Sequence, residues 1–135
     1  TLWHTLSLHD ALPISVRGSD GRRYPWGEVP DPDHANYSDT GIGTTSAVGC
    51  FPGGAGPYGV EEMSGNVWEW CGTYWVGDYG EYVNDDEVEG NAARVLRGGA
   101  FSDSQRIVRC AVRYGLSPLL RNDLMGFRVV VAPYL

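Results

Sequence analysis

The proline and glycine spacing between residues 16 and 60 limits the possible folds more than any other feature of this sequence. The segment contains the run YPWGEVPDPDHANYSDTGIGTTSAVGCFPGGAGPYG. Proline lacks a backbone N–H and glycine disfavours regular structure, so this density of both excludes long helices and central strands. The sequence predicts a long ordered loop, which needs anchors. A bound metal or these aromatic side chains would serve: Tyr24, Trp26, Tyr37, Phe51 and Tyr58.

Period-two alternation predicts short strands further along the chain. NVWEWCGTYW is typical of a strand, and RVLRGGAF predicts a short strand ending in a Gly-Gly turn. RIVRCAVRYG predicts a third strand, and MGFRVVVAP a buried terminal strand stopped by Pro133. The predicted fold class is α+β: irregular and loop-rich, with short antiparallel strands. Trp68 and Trp70 are expected in its core.

Charge and cysteine content restrict the partners. The 135 residues carry a net charge of −7, which argues against nucleic acid or an anionic membrane as a partner. No apolar run approaches the roughly 20 residues needed to cross a bilayer. The three cysteines include no C-x-x-C pair, which slightly favours a reducing, cytoplasmic compartment. We expect the partner to be a protein or a small molecule.

Residues 1–15 do not fit the character of the sequence that follows them. TLWHTLSLHDALPIS lacks the basic segment of a signal peptide, and it is similar to the translation of a sequencing-adapter oligonucleotide. We interpret it as a non-native leader, which leaves residues 16–135 as one domain truncated at its N-terminus. The alternative is a native N-terminal segment.

Five spaced motifs carry a family resemblance. RRYPWG, ANYSDTGIGTTSAVG, YGVEEMSGNVWEWC, RVLRGGAFSDSQRIVRCAVR and GFRVV occur in the order typical of the formylglycine-generating enzyme (sulfatase-modifying factor) family. The resemblance covers residues 16–135 and implies a C-type-lectin-like fold with little regular secondary structure. The family's upstream R-L-P-T-E-A-E-W-E segment has no match here.

The resemblance implies calcium sites in the loops. Calcium takes about six to eight oxygens, and an irregular backbone can turn carbonyls toward it. The alternative is that the carboxylates are salt-bridged or exposed and that the turn residues make local backbone bonds. One implied set is Asn36, Tyr37, Asp39 and Ile42, and the second is Glu62, Gly65, Val67 and Glu69.

The copper chemistry of the catalytic relatives is not expected here. Those relatives hold copper with two cysteines after the Gly-Gly turn, whereas here Asp103 lies near the first position and Ser104, Gln105 and Arg106 surround the second. Cu(I) prefers soft thiolates. Cys110 matches a disulfide-forming position whose partner would be Val16, and we interpret it as a buried side chain without nucleophilic function.

The arginines have two interpretations. Bidentate ties to acidic residues and carbonyls are favoured over an anion-binding face. The set comprises Arg97, Arg106, Arg109, Arg113, Arg121 and Arg128.

The positions between these landmarks are candidates for ligand contact. In variable proteins of diversity-generating retroelements, a second class with this fold, such gaps hold the ligand-binding residues. The alternative is that the leucines fill the core. The candidates are Phe101, Ser102, Asp103, Ser104, Gln105, Tyr114, Leu116, Leu119, Leu120, Asn122, Asp123 and Leu124.

Two functional hypotheses remain. The first is a non-catalytic binding or sensory module stabilised by calcium. The second is a formylglycine-generating oxidoreductase, or related enzyme module, whose catalytic residues lie in a missing segment. The absent cysteine pair favours the first hypothesis.

Overall fold

In the described part of the chain four short strands pair into one sheet, and long loops connect them. The computed structural model describes residues 17–78 and 90–129. Two 3₁₀ turns, Ser38–Thr40 and Pro52–Gly54, precede the sheet. The strands are β1 (Trp68–Tyr74), β2 (Arg94–Arg97), β3 (Arg113–Leu116) and β4 (Met125–Gly126), in the spatial order β3-β2-β1-β4. The predicted loop-rich α+β class is confirmed.

The strand pairing confirms the first two predicted strands. β2 is antiparallel to both β1 and β3, and β4 is parallel to β1. The Gly-Gly turn after β2 has positive φ at both residues, +92° and +75°. A Cβ on Gly99 would lie 2.8 Å from Cγ1 of Val108, so close packing as well as backbone conformation requires glycine there.

The third predicted strand is wrong over residues 107–112. Those residues form turns, and regular pairing begins only at Arg113. Local bonds replace a ladder: the N–H of Ile107 donates to the Ser104 carbonyl, and that of Val112 to Arg109. Val108 is nevertheless buried and Arg109 exposed, so the alternation reflected burial and not a strand.

The predicted terminal strand is wrong over residues 127–129. Within residues 125–129 strand pairing is confined to β4, and Phe127 and Val129 are 76% and 80% exposed, which contradicts a buried strand over them. Arg128 points its side chain to the loop before β1 and donates to the carbonyls of Glu61 and Glu62. Residues 130–133 lie outside the described residues.

The aromatic anchors form much of the core. Tyr24, Tyr37 and Val108 pack together with Ala35, and Trp26 lies against them. The Tyr24 hydroxyl donates to the Gln105 carbonyl at 2.9 Å, which ties the long loop to the segment after the Gly-Gly turn. Phe51 is only partly buried. Tyr58, 63% exposed, is not an anchor, because the turn around Gly59 leaves its ring in solvent.

The described helical segments are short. Within residues 17–78 and 90–129, none is long and apolar enough to cross a membrane.

Candidate functional site

The loops and the sheet line a half-open cavity of about 270 Å³, called the loop cavity here. All four strands contribute to it, and the segments after β2 and β3 supply the remaining wall. It brings together five of the predicted ligand-contact residues, Asp103, Tyr114, Leu116, Asn122 and Leu124. The other lining residues are Trp68, Leu96, Ile107, Val112 and Met125.

Two aromatic rings form one wall of the loop cavity. The ring centroids of Trp68 and Tyr114 are 6.1 Å apart, with the planes tilted by 49°. The strand register aligns Tyr114 with Leu96 across β2–β3 and Leu96 with Trp70 across β1–β2. Trp68 lies two residues before Trp70 on β1, so both tryptophans are on the same face of the sheet. Trp68 is therefore a half-buried wall residue and not the core residue that the sequence predicted.

Asp103 is fixed in the turn that follows Gly98-Gly99. Its Oδ2 accepts a hydrogen bond from the Ala100 N–H at 2.8 Å, and its carbonyl accepts one from the Ser38 N–H at 2.9 Å. The carboxylate is half-buried at the wall of the loop cavity. A fixed anionic group thus occupies the position that the motif match assigns to a copper-binding cysteine.

A second, larger cavity of about 520 Å³ lies against β1 and β4 and is called the strand cavity here. Asn122 and Met125 line both cavities, so the two adjoin. Its other lining residues are Trp70, Cys71, Gly72, Arg94, Pro118, Leu120, Arg121, Gly126 and Phe127. Trp70, expected in the core, is also a half-buried wall residue.

The remaining predicted contact residues line neither cavity. Phe101 is half-buried, and Leu119 is 65% exposed. The others, all exposed, are Ser102, Ser104, Gln105 and Asp123. The leucines therefore divide: Leu116 and Leu124 line the loop cavity, whereas Leu119 lies in solvent and does not fill the core.

The buried thiols are inert. Burial raises the pKa of Cys71 to about 11 and that of Cys110 to about 12, so both are protonated at neutral pH. The burial of Cys110 agrees with its interpretation as a core side chain. Cys50 is exposed, and no disulfide joins the three. The position Val16, implied as a disulfide partner, lies outside the described residues.

The first implied calcium set contains an unsatisfied oxygen. Asn36 is fully buried; its Nδ2 donates to the Thr44 carbonyl and the Ser46 hydroxyl, while its Oδ1 has no partner among the described residues. A buried amide oxygen without a donor fits a hard cation such as calcium. Asp39 and Ile42 are exposed, and the Tyr37 carbonyl accepts the Thr40 N–H.

The second implied set is occupied by an arginine. Arg128 forms a bidentate pair with Glu69, with Nε 2.6 Å from Oε2 and Nη2 2.5 Å from Oε1. The Glu62 carboxylate accepts the Gly49 N–H, and burial raises the pKa of that carboxyl. This set therefore fits the ion-pair alternative better than a calcium site, because the Arg128 guanidinium already neutralises Glu69. Gly65 and Val67 precede β1 in the chain, between Glu62 and Glu69, and Gly65 approaches the Asn36 carbonyl of the first set.

No cluster of three or more His, Cys, Asp or Glu side chains among residues 17–78 and 90–129 could hold a metal. A cation at Asn36 would thus depend on amide and carbonyl oxygens.

Three of the six candidate arginines, Arg97, Arg113 and Arg128, tie separate segments together. Arg109 and Arg121 donate to carbonyls of their own loops. Arg97 donates to the carbonyls of Cys110 and Val112, and Arg113 to those of Val76 and Gly77. Arg113 also stacks over Trp75, with its guanidinium carbon 4.5 Å from the ring centroid. The favoured interpretation of the arginines as loop ties agrees with these contacts, although carbonyls accept more of the bonds than carboxylates do.

Sequence reasoning missed half of the loop-cavity lining. Trp68, Leu96 and Met125 come from three strands, and Ile107 and Val112 from turns. Met125 reaches the cavity because it pairs with Trp68 across the parallel β1–β4 contact, and no local sequence pattern indicates this pairing.

This chain is similar to known proteins in sequence. Residues 12–133 match the family model described as the sulfatase-modifying factor enzyme 1-like domain. The serine/threonine-protein kinase pkn1 of Chlamydia caviae is 37% identical over 119 residues, which cover 84% of this chain and 18% of the kinase. The formylglycine-generating enzyme of Streptomyces coelicolor is 32% identical over 133 residues, covering 82% of this chain and 41% of the enzyme.

A solved structure has the same fold. Treponema denticola variable protein 1 superposes with a TM-score of 0.69 at 21% identity, over 86% of this chain and 43% of that one. This similarity concerns the fold alone, which is the irregular C-type-lectin-like fold that the resemblance implied. The chain spans less than half the length of each relative named here. The chain belongs to the sulfatase-modifying factor enzyme 1-like domain family.

Proposed function

We propose that this domain is a non-catalytic module that binds a ligand or protein partner through the loop cavity and its rim. The observation that carries the proposal is the convergence of five predicted contact residues on one half-open cavity, from β3 and from the segments after β2 and after β3. A concave, mostly apolar surface with a few polar groups is the usual form of a ligand site.

The chemistry of the cavity favours binding over catalysis. By the motif match, the stretch from Asp103 to Arg106 lies where the catalytic relatives hold copper, and it contains none of the soft thiolates that Cu(I) prefers. The two buried cysteines lie outside the loop-cavity lining, and burial holds their thiols protonated. Neither Cys71 nor Cys110 therefore supplies a reactive nucleophile to this site.

Fragment binding followed by NMR tests the proposal. The five tryptophan indole N–H groups report on different parts of the chain, and we expect hits from a diverse fragment library to shift Trp68 first. Trp26, which packs in the core beside Tyr24 and His34, is the internal control. Hits that shift Trp26 as strongly as Trp68, or a library without hits at Trp68, would contradict the proposal.

The second candidate function is oxidation of a substrate cysteine to formylglycine. The observation favouring it is the 32% identity to the Streptomyces coelicolor enzyme. Incubation with copper, oxygen and a cysteine-containing sulfatase peptide distinguishes the two functions. We expect no aldehyde by mass spectrometry, and aldehyde formation would replace the binding proposal with this one.

We further propose that calcium stabilises the loop around Asn36. The buried Asn36 Oδ1 would be one ligand, joined by carbonyls of the neighbouring loop, and the ion would supply a cross-link within that loop. A ligand that binds only the folded state raises the melting temperature, so EDTA is expected to lower it. Asn36→Ala should abolish this difference. An EDTA effect that is absent, or that persists in Asn36→Ala, would remove the proposed site.

A further inference from the structure

The loop cavity combines apolar walls with a single charged side chain. Its aliphatic lining consists of Leu96, Ile107, Val112, Leu116 and Leu124. Asp103 and Asn122 are the polar exceptions, and Asp103 is the one charged residue among those that line it. Such a cavity binds a molecule with an apolar body and one polar or charged end.

The partners of Asp103 indicate which charge the polar end of a ligand would carry. Within the described residues its carboxylate forms no ion pair, and Oδ2 accepts only the Ala100 N–H. Arg97, next to Leu96 on β2, donates to the carbonyls of Cys110 and Val112 and does not line the cavity. A half-buried carboxylate without a cation favours a cationic ligand group over a neutral or anionic one.

The aromatic wall also favours a cationic ligand group. Trp68 and Tyr114 lie side by side at the cavity, and the faces of both rings are electron-rich. An ammonium group between these rings and Asp103 gains from the ring faces and from the carboxylate together. The net charge of −7 adds a long-range attraction for cations.

We propose that the loop cavity binds a small organic cation: an ammonium group on an aromatic or aliphatic body. The inference rests on the proposed function, because it names the class of ligand for the same site. A volume of about 270 Å³ suits a molecule of the size of phenethylamine, with its ring against the aliphatic wall.

Calorimetric titration with three probes of nearly equal shape tests the charge. The probes are phenethylamine, 2-phenylethanol and 3-phenylpropionate. A charge-assisted contact predicts that the amine binds about 10- to 100-fold more tightly than the alcohol, with the carboxylate weakest. Equal affinity of amine and alcohol, or tighter binding of the carboxylate, would overturn the preference for a cationic ligand. The cavity would still be a ligand site. No binding of any probe would overturn the inference, while the fragment experiment judges the binding function independently.

Three variants, one of them a control, locate the effect. Asp103→Asn keeps an oxygen that accepts the Ala100 N–H, so it removes charge with little change to the turn, and it should make amine and alcohol equal. Asp33→Asn, an exposed site remote in sequence, removes the same charge and should leave the preference intact. Tyr114→Leu should reduce the preference about two- to fivefold by removing one ring. An amine preference unchanged in Asp103→Asn, or lost equally in Asp33→Asn, would overturn the assignment to Asp103.

Discussion

Replacing Arg128 by methionine should destabilise the domain strongly. Its guanidinium makes the bidentate pair with Glu69 and donates to the carbonyls of Glu61 and Glu62 at 2.9 and 2.7 Å. The two charged side chains are 27% and 16% exposed. Removing one partner of a fully buried pair costs about 3–5 kcal/mol, and an exposed pair contributes about 0–1 kcal/mol. For this intermediate burial we expect a loss of about 2–4 kcal/mol of unfolding free energy.

Urea denaturation with calcium chelated measures this loss without interference from a bound ion. A double-mutant cycle with Glu69→Gln isolates the pair, and we expect a coupling energy of about 1–2 kcal/mol. Arg121→Met is the matched control, because Arg121 donates only to carbonyls of its own exposed loop and should cost less than about 0.5 kcal/mol. Equal effects of the two methionine variants, or strict additivity in the cycle, would refute the Arg128–Glu69 pair.

The remaining predictions concern the backbone and the thiols. Gly65→Ala should cost about 3 kcal/mol or more, because φ is +78° and the new Cβ would lie 2.3 Å from the Asn36 carbonyl oxygen. Gly59→Ala has φ of +74° but open space, so about 1–2 kcal/mol is expected, and equal losses in thermal unfolding would contradict the close approach at Gly65. Iodoacetamide at pH 8 should modify exposed Cys50 in the native chain and leave Cys71 and Cys110 unmodified, since burial raises their thiol pKa to about 11 and 12. Mass spectrometry counts the modified thiols, and rapid modification of a second cysteine would show that the buried sites are open.

The strands that the sequence predicted well are those in which one pattern satisfies both pairing and burial. β1 alternates and pairs with β2 through Trp70 and Leu96, and β2 is a short run with three consecutive buried residues. The segment from Ile107 to Val112 alternates too, but its alternation places Val108 and Cys110 in two core clusters while the backbone bonds locally. Alternation alone does not distinguish a strand from a turn with one buried side.

The site was predicted in part for a similar reason. Gaps between motif landmarks identified Asp103, Tyr114 and Leu124, which are close in sequence to fixed turns and strands. Arg128 and Glu69 are 59 positions apart in the sequence, and no local pattern predicts their contact. The role of Trp68 as a wall residue likewise depends on the approach of β3 and β4 to β1, which only the tertiary structure determines.

The position of a bound ligand tests the central claim most directly. A crystal structure of the domain with phenethylamine, or with the strongest hit from the fragment library, gives that position. The account predicts the ligand in the loop cavity, with its ring against the aliphatic wall and its polar end near Asp103 and Tyr114. A ligand bound with full occupancy elsewhere, with the loop cavity empty, would contradict it.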